Sequence, residues 1–275
     1  MSKWLFLFVF FSSSVARAMT CKDGETELVD LQTKLVQSSP EGCKKIADEM
    51  IEVLALCSSE EDFMTYPFER VTMFKPFSQD ANLRIFTWNY LGVDGNMNYF
   101  GCLHFRTKKE GHWWVKLEES TELEKFATRQ FSNEKWCGTV YYAIAEMPKK
   151  KNKRSQYALL GFQGNNALTN KKIIEIVNIG NKDVTFGDGV FELKEKSKPI
   201  KRFVLEYSDE ATCILRYYPK SDIIVFDHLS PREPAFVDFF AEYGPDGSYD
   251  AFIWNKKKWV YLPVIDVSKY VEKEK

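Results

Sequence analysis

Near residue 60 the spacing of apolar positions changes from a helical period to the two-residue period of a strand, so the chain divides into a helical start and a β-rich remainder. Gly24 to Gln37 carries Leu28, Leu31 and Leu35 on one face. Pro40 to Cys57 does the same with Cys43, Ile46, Met50, Val53, Leu54 and Cys57. It follows Ser39, a good N-cap, and begins with proline, which suits a first helical position. With so short a connection the two helices are expected to fold back as an antiparallel hairpin. That geometry sets Cys21 beside Cys57 and makes this pair the favoured disulfide, whereas Cys43 and Cys57 stand about 21 Å apart along one helix.

From Phe63 onward aromatic residues thicken and alternation takes over. Arg84 to Phe105 reads as a hairpin turning on Asp94-Gly95 as a two-residue type I′ turn. That turn predicts Tyr90 opposite Tyr99, Trp88 opposite Gly101 and Phe86 opposite Leu103, with one aromatic face and a second face bearing Thr87, Asn89, Asn98 and His104. His112 to Leu117 is a further strand and Ser120 to Phe131 a short helix. Gly138 to Met147 and Ser155 to Phe162 pair across the basic run Lys149 to Arg154, which reads as a solvated tip. Leu168 to Ile179 and Val184 to Leu193 follow, the latter broken at Gly187-Asp188-Gly189. Arg202 to Tyr207, Thr212 to Tyr217 and Ile223 to Phe226 read as a three-strand meander. Tyr249 to Trp254 and Trp259 to Val264 form a last hairpin on Asn255 to Lys258.

The expected fold is α+β and mainly antiparallel β, with about 11–12 short strands in a meander behind an N-terminal antiparallel helical hairpin. The boundaries read as 1–18, a leader; 19–60, the helical hairpin; 61–268, one β-rich body; and 269–275, a charged tail.

Composition adds an address. Lys3, the apolar run Trp4 to Phe11 and Ala16-Arg17-Ala18 have the order of a secretory signal peptide, and the run falls short of the ~20 residues a membrane span needs. No later stretch is long and apolar enough, so no membrane span is expected after cleavage. Loss of Lys3 and Arg17 leaves 36 basic residues against 39 acidic, a net charge of −3, which argues against nucleic acid as a partner. The expected location is the periplasm or the extracellular space. Six cysteines without a C-x-x-C allow fifteen pairings and point away from a zinc knuckle.

The segments Tyr157 to Asn166 (YALLGFQGNN), Glu206 to Tyr217 (EYSDEATCILRY), Phe226 to Pro231 (FDHLSP) and Tyr243 to Phe252 (YGPDGSYDAF) resemble a family of uncharacterised exported bacterial proteins. The resemblance spans roughly Phe63 to Val267 and implies export and a single β-rich body, but no activity. Family members often have Trp-Asp where this chain has Phe162-Gln163, so an activity resting on that aspartate does not carry over.

No H-E-x-x-H, G-x-S-x-G, P-loop or G-x-G-x-x-G occurs. The densest polar cluster follows Ile223: Asp227-His228 at a strand end, then Gly244-Pro245-Asp246-Gly247 as a turn with Ser248 and Asp250. A hydrolase built here would use His228 as base, oriented by Asp246 or Asp250, with or without the assistance of a metal. Asp227 should point away, because neighbours on a strand face opposite sides. Asp246, Ser248 and Asp250, like Asp94, Asn96 and Asn98, have the alternating oxygens of a calcium loop but lack the later glutamate, and turn chemistry accounts for both without a cofactor. Cys137 is a candidate nucleophile, with a buried structural thiol as the plainer reading. Trp113, Trp254 and Trp259 are candidate sugar-stacking residues, with core packing as the plainer reading. The function expected on balance is a non-enzymatic exported protein that binds an envelope or extracellular partner or a glycan. The hydrolase is the alternative.

Overall fold

Two capped helices open the described chain. The computed structural model describes residues 19–92, 95–107, 111–120, 126–147, 155–180, 183–193 and 200–271; the expected leader, the basic run 149–154 and the last residues of the tail lie outside them. Helix α1 spans Cys21–Val36, a turn earlier than its leucine stripe suggests. The cause is Thr20, whose side chain accepts the N–H of Asp23 at 3.1 Å. Helix α2 spans Pro40–Cys57 with Ser39 as its N-cap, as expected. The hairpin closes tightly: a Cβ on Gly24 would overlap Cys57 Sγ. Cys21 Sγ and the Cys57 carbonyl are 4.0 Å apart, so the expected neighbours do meet. All six cysteines are nevertheless free thiols, and all are buried.

Fourteen strands, β1 to β14, follow among the described residues and form three sheets. The first holds β1 (Leu83–Leu91), β2 (Met97–Thr107) and β3 (Gly111–Leu117). The second holds β4 (Phe131–Ser132), β5 (Val140–Glu146), β6 (Ser155–Gly164), β7 (Thr169–Ile179), β8 (Val184–Phe186) and β10 (Arg202–Ser208). The third holds β9 (Phe191–Glu192), β11 (Leu215–Tyr218), β12 (Ile223–Pro231), β13 (Tyr243–Trp254) and β14 (Trp259–Leu262). Strand pairing is antiparallel except between β14 and β9. The expected α+β, mainly antiparallel architecture is therefore observed, with corrections in three places.

The first is register. Trp88 pairs with Phe100, Phe86 with Cys102 and Tyr90 with Asn98, one residue away from the expected pairing. The Gly95 N–H bonds the Gly92 carbonyl at 3.0 Å, the Gly92 N–H bonds the Asn96 carbonyl at 2.8 Å, and Gly95 sits at φ +77°. These are the marks of a three-residue loop with a left-handed glycine, not of a two-residue turn. The shift puts Phe86, Trp88 and Cys102 on the face that packs against the helices, and Leu83, Ile85, Tyr99 and Leu103 on the face that packs against the second sheet. Both faces of this sheet are thus covered, where the alternation suggested one.

The second is the meander. Strand β10 pairs with β7 in the second sheet, whereas β11 and β12 pair in the third, so the chain changes sheets between Ser208 and Leu215. The third concerns residues 120–131. Residues 121–125 are outside the described set, Phe126 onward forms a turn, and Phe131 belongs to β4 rather than to a helix.

The layers stack in order: helices, first sheet, second sheet, third sheet. Tyr157 and Leu159 of β6 face the first sheet's core, while Ala158 and Leu160 face the third's. A backbone bulge in β5 between Tyr141 and Ala143 keeps that strand's alternation in step. Thr87 Oγ1 accepts the Tyr141 N–H at 2.9 Å and ties the first sheet to the second. On the outer face of the third sheet, Ile223, Val225 and Ala251 are covered by Ile265, Val267 and Tyr270 from the end of the chain.

At the heart of the second sheet Glu175 and Arg202 form an ion pair with both side chains wholly buried. Arg202 Nε donates to Glu175 Oε2 at 2.8 Å. The guanidinium also donates to the Phe126 and Arg129 carbonyls and lies 4.8 Å from the Phe126 ring and 4.9 Å from the Phe131 ring. The second carboxylate oxygen accepts from the Tyr141 hydroxyl, which in turn accepts the Trp136 indole N–H at 3.0 Å. Burial alone would lower the Arg202 pKa; the Glu175 charge and hydrogen bond, together with Cys137 and Tyr141, outweigh it and raise the value above the ordinary one. Removing one partner strands a buried charge, so Arg202→Met is expected to cost about 3–5 kcal/mol of stability. Urea unfolding would measure it, and a loss below about 1 kcal/mol, the worth of an exposed pair, would refute the assignment.

Candidate functional site

The hairpin of β12 and β13 builds the site. Asp227 opposes Tyr249 and Leu229 opposes Pro245, so the single residue His228 faces the three residues Asp246, Gly247 and Ser248 across a bulge. Asp246 to Ser248 are therefore an excursion within a long strand, not the hairpin turn expected from Gly-Pro-Asp-Gly. Asp227 and His228 likewise lie inside β12 rather than at its end. Gly247 permits the excursion by adopting φ +91°.

His228 Nδ1 lies 2.8 Å from Asp250 Oδ2. Asp250 is buried, and it is positioned by two more donors: Tyr261 Oη at 2.6 Å from Oδ2 and the Val264 N–H at 2.9 Å from Oδ1. The imidazole itself is partly exposed, at 38%. The arrangement is a histidine with one nitrogen held by a fixed carboxylate, which sets its tautomer and leaves the other nitrogen for proton transfer or a ligand.

The other expected members stand apart. Asp246 accepts the Ser248 N–H at 2.9 Å and the Ser248 hydroxyl at 2.7 Å. These two bonds, with a smaller contribution from His228, hold its carboxyl below the usual carboxylate range. Asp227 turns to the residue just before β11, where its Oδ2 accepts the Ile214 N–H at 2.6 Å, and burial raises its pKa. No serine hydroxyl or cysteine thiol among the described residues bonds the His228 ring. Two clefts open elsewhere: one of about 330 Å³ beside Asp80, Glu146 and Tyr157, and one of about 400 Å³ beside Glu60, Arg106 and His112. Among the described residues no three histidines, cysteines or carboxylates converge as metal ligands, at Asp246, Ser248 and Asp250 or anywhere else.

Cys137 is not an available nucleophile. It is wholly buried, and burial followed by the Glu175 charge pushes its pKa up to about 12. The three candidate tryptophans lie against two separate cores. Trp259 is wholly enclosed in the core between the second and third sheets, with Trp254 packed 5.3 Å from it. Trp113 is partly buried and packs edge-on to Phe105 at 5.6 Å, against the core between the first and second sheets. Gln163, where the resemblance would place aspartate, donates from Nε2 to the Cys137 and Gly138 carbonyls at 2.7 Å each. An ionised aspartate there would face two carbonyl oxygens with no proton to offer.

One feature escaped the sequence reading. The connection from β12 to β13 exposes Val237 at 62%, Phe239 at 52% and Phe240 at 40%. The segment is not loose: Arg232 N–H bonds the Glu242 carbonyl at 2.9 Å, and Phe236, Phe239 and Glu242 each donate a backbone bond three residues back. Tyr243 Oη accepts the Asp238 N–H at 3.2 Å while Asp238 holds φ +68°. The signal available in sequence was Phe-Val-Asp-Phe-Phe in a stretch without helical or strand alternation. Compared with protein-family models, with curated proteins and with solved structures, the chain finds no match.

Proposed function

We propose that this is an exported, non-enzymatic protein that binds a protein partner through the 232–242 connection. The observation that carries the reading is the exposure of Val237, Phe239 and Phe240 on a segment closed by its own backbone bonds. Large apolar side chains held out in water by an ordered backbone cost solubility without adding to the core, and a partner's apolar pocket recovers that cost. Preorganisation also lowers the entropy lost on binding. Export is supported by the leader-like first eighteen residues and by the resemblance to exported proteins; no described helix is long and apolar enough to cross a membrane. In an oxidising compartment the adjacent Cys21 and Cys57 thiols are the pair placed to join.

A second reading is supported by the 2.8 Å contact of His228 with Asp250: a hydrolase in which Asp250 orients the ring and His228 moves the proton.

Three measurements test these readings. A photo-crosslinking residue at Phe239 should capture one discrete partner in the exported fraction, lost when Val237 and Phe240 become serine; adducts no different from those at the exposed Lys257 would overturn the binding reading. For the hydrolase, a panel of ester, amide and phosphoester substrates should show turnover that falls about 100-fold or more in His228→Ala. Turnover equal in wild type and variant would remove it. Peptide mapping of exported protein without reduction should find Met19 at the N-terminus and Cys21 joined to Cys57, and intact residues 1–18 or two free thiols would refute the respective claim.

A further inference from the structure

A separate cluster lies where the end of α2 meets the first sheet. His104 on β2 pairs with Trp114, and His112 on β3 pairs with Arg106, so the two histidines are diagonal neighbours on one face. The His104 side chain is wholly buried, its ring 4.7 Å from Trp114 and 5.1 Å from Phe63. Its Nδ1 lies 3.1 Å from Met64 Sδ. A thioether has no proton to give, so Nδ1 carries the hydrogen and donates it, which leaves a lone pair on Nε2. That lone pair faces His112 Nδ1 at 3.1 Å. His112 is exposed and borders the cleft of about 400 Å³.

Two nitrogens that share one metal at ~2.0–2.1 Å with tetrahedral angles stand about 3.3 Å apart, and a right-angled pair about 2.9 Å apart. The observed 3.1 Å falls between. The same separation suits a hydrogen bond, so spacing alone does not decide. The surroundings do favour a cation. Helix α2 ends at this cleft with no basic residue in its last turn, so the negative end of its dipole is uncompensated. Glu60 and Glu61 line the same cleft and oppose the charge of Arg106.

We propose that His104 Nε2 and His112 Nδ1 form a two-nitrogen site for a borderline transition-metal ion such as Zn²⁺ or Cu²⁺. The proton between the rings moves to the outer nitrogen of His112, and the metal takes its place. Imidazole donors select this class over calcium or magnesium. Because no third histidine, cysteine or carboxylate among the described residues converges with them, the remaining positions are filled by solvent in the cleft or by a glutamate swinging in from its rim. The site is independent of the 232–242 connection and of His228.

The test is calorimetric titration of full-length, EDTA-treated protein with ZnCl₂ and CuCl₂, with electron paramagnetic resonance of the copper form. The expected result is one ion per chain, copper hyperfine structure from two nitrogens, and binding at least about tenfold weaker in His112→Ala. His228→Ala should bind as wild type does. His112 also bonds the buried His104 Nε2, so its removal is expected to lower the metal-free melting temperature. The nitrogen count on wild-type protein therefore decides by itself. Absence of binding, equal affinity in His112→Ala, or a copper spectrum with no coupled nitrogen would each overturn the proposal.

Discussion

The buried pair of Glu175 and Arg202 is the constraint on which the middle of the molecule rests. Glu175 sits mid-strand in β7 with apolar residues on both sides, and its register partner on β10 is Arg202 itself. Two ions so placed lose most of their hydration, and the interior repays this only when nearly every proton and lone pair is matched. Here they are matched widely: the carboxylate takes the Tyr141 hydroxyl, and the guanidinium takes carbonyls from the segment that leads into β4. The pair therefore fixes three things at once, the β7 and β10 register, the β5 side chain and the path of residues 126–129. A slip of one residue in β10 would turn Arg202 to the opposite face and leave Glu175 alone.

Arg84 shows a second solution to a buried cation. No carboxylate among the described residues pairs with it. Its guanidinium donates to the Phe63 and Tyr66 carbonyls and lies between the rings of Phe63, Phe68 and Phe86, at 4.9 to 5.5 Å. Burial lowers its pKa to about 10, where Arg202 is shifted the other way. The difference follows from the partner. A hydrogen-bonded carboxylate, added to the neighbouring Cys137 and Tyr141, outweighs desolvation, whereas carbonyl dipoles and aromatic faces offset only part of it.

Local order was legible in the sequence, and long-range order much less so. Ser39 and Pro40 marked the start of α2 to the residue, because a cap and a proline act on their own backbone. Period-two alternation located most strands. It misassigned the partner of β10, since the same alternation suits any neighbouring strand. The β1–β2 register failed by one residue because two- and three-residue turns both end in Asp-Gly, and only the left-handed Gly95 with its bonds distinguishes them. His228 and Asp250 were named together from sequence, and they meet. Asp246 was named with them and does not join, because the β13 bulge commits it to Ser248. The two-histidine contact was hidden: His104 looked like one polar residue on a solvated face, and nothing local says that Phe63, Met64 and the end of α2 cover that face.

The layered order gives the molecule two unlike poles. Cys21 at the start of the described chain belongs to the helical layer, while Tyr270 near its end lies on the outer face of the third sheet. Stacked sheets are about 10 Å apart, so some 20 Å of sheet core separates the first sheet from the third, with the helices beyond. A fusion or surface attachment at the N-terminal pole would present the third sheet outward, whereas one at the C-terminal pole would press that sheet toward the support. A tension applied between the two ends would load the three interlayer cores in series, one between helices and sheet and two between sheets, and the weakest interlayer contact would set the force at which the body parts.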